Sequence, residues 1–142
     1  MQKVSFTVYG KPKGKQRPRV VNVKGFSRAY TPKETVQYEN LIKIEYGIQT
    51  DNFKFDDDAQ LGMSIKAYFP IAASKSKKQK DLMERGIVRP ISKPDCDNLC
   101  KLICDSINDI AYKDDSRVVS VHIQKFYSCN PRVEIEIWEI CE

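Results

Sequence analysis

The run Lys93-Pro94-Asp95-Cys96-Asp97-Asn98-Leu99-Cys100-Lys101 sets two carboxylates one residue apart and a lysine one helical turn beyond the second. A further acidic pair, Asp114-Asp115, stands just before an apolar run. Clustered carboxylates repel one another, and a hard divalent cation is their natural partner. Magnesium takes oxygen ligands, keeps several waters and accepts its last ligands from substrate phosphate. Such an ion polarises a phosphoryl oxygen and lowers the pKa of a bound water. An ammonium at Lys101 is placed to offset charge growing on the phosphate. The chemistry implied is hydrolysis of a phosphodiester. Each acid also has a structural use: Asp95 and Asp97 suit a helix N-terminus, Asp97, Lys101 and Asp105 suit i,i+4 surface pairs, and Asp114-Asp115 suit a turn. The combination is what points to a metal site.

Other chemistries fit less well. His122 is the only histidine and falls mid-strand, against a histidine-based mechanism. No glycine motif that cradles nucleotide phosphates is present, against a kinase or P-loop NTPase. Five cysteines are an odd number, and Cys96, Cys100 and Cys104 recur every fourth residue along one side of a helix. They read as reduced thiols of a cytosolic protein rather than a zinc site, which needs a second cysteine pair or histidines. No stretch approaches the roughly 18 apolar residues that span a bilayer, and Met1-Gln2-Lys3-Val4 opens no signal-peptide core. A cytoplasmic protein without membrane contact is expected.

Positive charge is segregated along the chain. Residues 11–19 carry +5, residues 74–93 carry +5, and the remainder holds 12 basic and 17 acidic residues. Two basic segments of this kind attract and steer polyanions. Lys13, Lys15, Arg17 and Arg19 in the first, and Lys75, Lys77, Lys78 and Lys80 in the second, are the candidate DNA-binding residues.

The elements that must position these groups follow from periodicity. Lys3 to Tyr9 alternates as a strand, and Gly10 to Pro18 opposes regular structure. Val20 to Tyr30 reads as a short hairpin turning at Lys24-Gly25. Thr31-Pro32 signals a helix start, with Val36, Leu41, Ile44 and Ile48 as its apolar positions and Gly47 near its end. Gln60 to Pro70 alternates as a second strand. Residues 72–93 are lysine-rich, with a helix around Lys77 to Arg85 inside an otherwise flexible basic loop. Leu99, Leu102, Ile103, Ser106, Ile107 and Ile110 fall on one arc of the next helix, opposite Asp97, Lys101 and Asp105, with Asp95 at its cap. Arg117 to Tyr127 and Arg132 to Ile140 read as an antiparallel hairpin turning at Cys129-Asn130-Pro131. The 142 residues fit a single domain, 1–142, of α/β class (α+β type), with a mixed, mostly antiparallel sheet and helices packed on it.

The pattern Lys-Pro-Asp95-x-Asp97-Asn98-Leu99-x-Lys101, followed by Asp105 and Asp114-Asp115-x-x-Val118-Val119, resembles the core signature of RusA-type Holliday junction resolvases. Gly10 to Arg19 is similar to that family's basic N-terminal stretch, and Ser74 to Lys80 to its lysine-rich loop. The resemblance implies a RusA-like homodimer that nicks four-way DNA junctions symmetrically, in recombination and repair, with Mg²⁺ as cofactor and Mn²⁺ as a substitute. Carried over by position, Asp95, Asp97 and Asp115 would be the catalytic metal-binding acids and Lys101 the catalytic lysine; Asp114 falls one residue short of the matching acid. Two other readings stand beside it. One is a non-catalytic nucleic-acid-binding module, the other a metal nuclease acting on flaps, forks or RNA.

Overall fold

The computed structural model describes residues 2–16, 19–30 and 32–141. Strands β1 (Lys3–Tyr9), β4 (Leu61–Pro70), β5 (Val118–Ser128) and β6 (Arg132–Glu139) form one sheet, β2 (Arg19–Val23) and β3 (Phe26–Tyr30) a separate two-stranded ribbon. Helices α1 (Lys33–Thr50), α2 (Lys77–Glu84) and α3 (Cys96–Ser106) fill the connections. The chain is a single α+β domain with a mixed sheet, as expected.

Alternation decides which face of the sheet is covered. Phe6 and Val8 of β1, Leu61, Met63, Ile65, Ala67 and Phe69 of β4, and Val133, Ile135 and Ile137 of β6 are all buried on one side. Tyr38, Ile42 and Tyr46 of α1 and Leu99, Leu102 and Ile103 of α3 close over them. On the other face Trp138 lies flat against Gly62, where a Cβ would stand 2.4 Å from the indole ring. Only glycine admits the ring there.

The strand order is β1-β6-β4-β5, and this corrects the expected hairpin. β5 and β6 do not pair with each other: β6 lies antiparallel between β1 and β4, while β5 runs parallel to β4 at the edge. The turn at Cys129–Pro131 steps over the end of β4. Two strand spacings are about 9.6 Å, within reach of a three-residue link. Burial explains the choice. Ile135 and Ile137 are sealed as central residues must be, whereas Val119 is 59% and Val121 42% exposed, which only an edge strand tolerates.

α1 is likewise rotated from its expected setting. Val36, Leu41, Ile44 and Ile48 are exposed, and the buried face is Thr35, Tyr38, Ile42 and Tyr46. The aromatic rings carry more burial free energy than the aliphatic stripe, and the Tyr46 ring meets Phe6 edge-on at 5.2 Å. Pro32 stands at the N-cap, with Thr31 outside the described residues, and the helix runs past Gly47 to Thr50. Asp51, at φ 56°, ends it. Gln49 then reaches the free edge of β1: its Oε1 accepts from the Thr7 N–H at 2.8 Å and its Nε2 donates to the Thr7 carbonyl at 2.7 Å. That clamp satisfies an edge residue that would otherwise face solvent or another chain.

The two faces of α1 make opposite predictions. Ile42→Ala, at a position 1% exposed, should lower unfolding stability by about 2–5 kcal/mol in urea titration. Ile48→Ala, at a position 71% exposed, should change it by less than about 0.5 kcal/mol. Equal losses at the two sites would contradict this orientation.

Candidate active site

α3 is strongly amphipathic. Leu99, Leu102, Ile103, Ser106 and the C-cap Ile107 are buried, while Asp97 and Lys101 face out; Ile110, beyond the end of the helix, is half-buried. Asp95 occupies the N-cap position with extended backbone, but its side chain makes no capping hydrogen bond. Its carboxylate is therefore not consumed by the helix end.

α3 lies beside β5 without covering it. The uncovered strip becomes a hollow of about 590 Å³, walled by Val118, Val121 and Ile123 of β5 and by Asp97, Lys101 and Asp115. Asp115 comes from the 3-10 turn Asp115–Arg117 that leads into β5. Two interactions fix that turn. The Asp115 N–H donates to Asn108 Oδ1 at 2.8 Å, and Asp114 Oδ2 accepts from the Ser116 N–H at 3.1 Å. Asp114 is thus the cap of the turn, and its bonds to Ser116 hold its carboxyl below the usual range. Asp115 is the member of the pair that lines the hollow with Lys101.

A second hollow, about 760 Å³, adjoins the first. Lys11, Lys13, Lys15 and Lys93 line it together with Asp95 and Asp97. Asp97 belongs to both hollows. The N-terminal segment reaches this place by close packing: the Lys15 N–H donates to the Asn98 carbonyl at 3.2 Å, and a Cβ on Gly14 would stand 2.6 Å from Pro94 Cβ. Lys15 Nζ sits between Glu39 at 3.3 Å and Asp105 at 3.4 Å. With Asp105 engaged in this way, Lys101 joins no ion pair among the described residues.

The hollow floor carries two thiols. Cys100 and Cys104 Sγ lie 3.8 Å apart. The hydrogen bond from Cys104 draws the Cys100 thiol down to about 7, against burial and the negative charges of Asp105, Asp115 and Asp97. The same bond, with burial, pushes Cys104 up.

The expected carboxylates are thus brought to one region, but not into one cage. Asp97 and Asp115 share the first hollow, and Asp95 faces the second. Among the described residues no three His, Cys, Asp or Glu side chains are clustered to enclose a metal. Magnesium does not need such a cage, since one or two carboxylates plus water and substrate phosphate suffice. Asp97 and Asp115 are hard oxygen donors of that kind.

The DNA-binding candidates divide. Lys13 is exposed beside the Tyr38 ring, at 5.9 Å from its centroid. Lys15 braces the fold instead of facing solvent. Arg17 lies outside the described residues, as does the side chain of Arg19. Lys75, Lys77 and Lys78 are exposed and Lys80 half-buried, at the start of α2. The helix expected around Lys77 to Arg85 is present as α2, Lys77–Glu84. Its Ser76 Oγ accepts from the Gln79 N–H at 3.2 Å, Met83 is buried, and Glu84 Oε1 accepts from the Cys129 N–H at 2.9 Å. Lys11, Lys93 and Asn98, part of the basic segments and the acidic motif but not site candidates, line the second hollow, and Asn108 supports the Asp115 turn. Lys93 and Asn98 lie inside the acidic motif and could have been candidates; Asn108 gives no local signal.

No helix among the described residues is long and apolar enough to cross a membrane. Residues 9–138 match the family model described as Endodeoxyribonuclease RusA. The chain is also similar to a Bacillus subtilis (strain 168) protein, "Uncharacterized protein YqaN", with 37% identity over 145 residues, covering 99% of each chain. By the family match, which spans nearly all of its length, this chain belongs to the endodeoxyribonuclease RusA family.

Proposed function

We propose that the chain is a Mg²⁺-dependent endonuclease that resolves four-way DNA junctions by paired symmetric nicks, acting as a homodimer. The observation that carries the reading is the placement of Asp97, Lys101 and Asp115 around one hollow, with a lysine-lined hollow that shares Asp97 with it. Family membership supports nuclease activity and branched DNA as substrate.

In this reading Asp97 and Asp115 hold the ion, with Asp95 a further acid at the border of the site. The ion, when bound, supplies an activated water and a Lewis acid for the scissile phosphate. The chain's own residues do the rest. Lys101, free of acidic partners among the described residues, presents its ammonium to the phosphate oxygens and offsets charge that grows as the bond breaks. Lys11, Lys13 and Lys93 hold the neighbouring backbone, which fixes register without reading sequence. Val118, Val121 and Ile123 give the hollow an apolar wall on the β5 side. A two-fold symmetric substrate matches an isologous pair of sites.

Isosteric replacement tests the acid assignments. Asp97→Asn and Asp115→Asn should abolish Mg²⁺-dependent nicking of a synthetic four-way junction while leaving its binding intact or tighter. Asp114→Asn should keep nicking, because asparagine caps a turn as well as aspartate does. Undiminished cutting by Asp97→Asn would rule out the site. Equal cleavage of linear duplex, flap and junction DNA would favour a nuclease of other branched substrates, and binding without cutting in any metal would favour a non-catalytic module.

Lys77 and Lys78 supply a second check. The double alanine variant should bind junction DNA more weakly and lower the log–log salt slope by about 2, with unchanged thermal unfolding. An unaltered slope would remove α2 from the DNA surface.

A further inference from the structure

Cys100 and Cys104 have no part in the chemistry proposed above, yet they stand in its midst. Neither is in a disulfide, and their Sγ atoms are 3.8 Å apart, one helical turn from each other on α3. Both line the hollow that holds Asp97, Lys101 and Asp115. Cys100 is half-buried and reachable from the hollow; Cys104 is buried behind it, its Sγ 4.0 Å from Met63 Sδ. Cys96, the third thiol of the same column, is exposed and outside the hollow.

We propose that Cys100 and Cys104 form a reversible thiol oxidation site whose closure disables the acidic hollow. The chemistry needs a peroxide and nothing else. Cys100 sulfur attacks one peroxide oxygen; an S–O bond forms, the O–O bond breaks, and the other oxygen leaves as water with the thiol proton. Cys104 sulfur then attacks the sulfur of the resulting sulfenic acid. An S–S bond forms, the S–O bond breaks, and a second water leaves with the Cys104 proton. Two thiols give up two electrons, and the peroxide takes them.

Geometry links this bond to the site. A disulfide wants Cβ atoms about 3.5–4.5 Å apart, whereas residues four apart on an α-helix hold theirs at about 5–6 Å. Closing the bond therefore contracts and unwinds the middle turn of α3. Lys101 lies in that turn, and Asp97 one turn before it. A bond under such strain is easily reduced, which makes the change reversible.

The effect on activity rests on the nuclease reading; the oxidation itself does not. Reduced full-length protein is treated with hydrogen peroxide, alkylated and digested with trypsin. Cleavage after Lys101 falls between the two cysteines, so their disulfide keeps two tryptic peptides joined. The joined pair should form in the parent protein and in Cys96→Ser, and be absent from Cys100→Ser and Cys104→Ser. Nicking, measured for each protein against its own reduced sample, should fall to background only where the pair forms and return with dithiothreitol. Failure to form the pair, or a link through Cys96, Cys129 or Cys141 instead, would overturn the proposal. Formation without loss of nicking would overturn the switch. Peptides that join in a protein that cuts no DNA when reduced would leave the oxidation site standing and count against the nuclease reading.

Discussion

One ammonium group holds the arrangement together. Lys15 Nζ, on a side chain only 21% exposed, is shared by Glu39 of α1 and Asp105 of α3. Its backbone N–H meanwhile binds the Asn98 carbonyl at the start of α3. An irregular segment without strand or helix of its own is thereby fastened to two helices at once. Loss of either acid leaves a partly buried charge short of a partner, a costlier change than loss of an exposed pair. The same bridge divides the charges of α3 into two classes. Asp105 is spent on structure, which leaves Lys101 and Asp97, on the same helix, free for a ligand.

The remaining parts are mounted stiffly. Asp97 and Lys101 project from a helix whose opposite face is packed, so the core fixes the backbone that carries them. Asp115 sits on a short turn, the less rigid kind of support, and it is there that extra hydrogen bonds appear: Asn108 to its own N–H and Asp114 to the next. Sites held by packed elements and supporting hydrogen bonds keep the small tolerances catalysis demands. The two carboxylates that share the hollow are too few for an enclosed zinc or calcium site, yet enough for an ion that prefers to keep its waters.

How much of this the sequence disclosed depends on what each signal measures. Local patterns were reliable where the physics is local. The α3 arc from Leu99 to Ile107, the strand alternation of Gln60 to Pro70 and the Lys24-Gly25 turn all took the form their spacing dictates. Pairing was not legible, because Val133, Ile135 and Ile137 alternate identically whether their neighbour is β5 or β1 and β4. The face of α1 was misjudged because aliphatic residues were counted and Tyr38 and Tyr46 were not, although a tyrosine buries more surface than a valine. The acids at the site were visible as a motif. What could not be seen was the division of labour among charged groups: Asp114 as a cap, Asp105 and Lys15 as a brace. Those roles depend on partners 24 to 90 positions away along the chain or on a turn conformation, and neither leaves a periodic trace.

The position of Asp97 on the border of two hollows has an electrostatic consequence. In the proposed function Lys11, Lys13 and Lys93 would draw a phosphate backbone inward, while Asp97 and Asp115 would repel it. The hollows share a residue, and the Debye length at physiological salt is about 8 Å, so the two fields are not screened from one another. On that proposal nucleic acid alone would be held mainly by the basic hollow and the α2 lysines, with its backbone stopped at the acidic boundary. In the function proposed above, Asp97 and Asp115 would hold a divalent cation, whose positive charge would offset their repulsion of a phosphate backbone beside Lys101. Affinity and chemistry would thus belong to adjacent but different groups, and a change of charge at the Asp97–Asp115 boundary would connect the two.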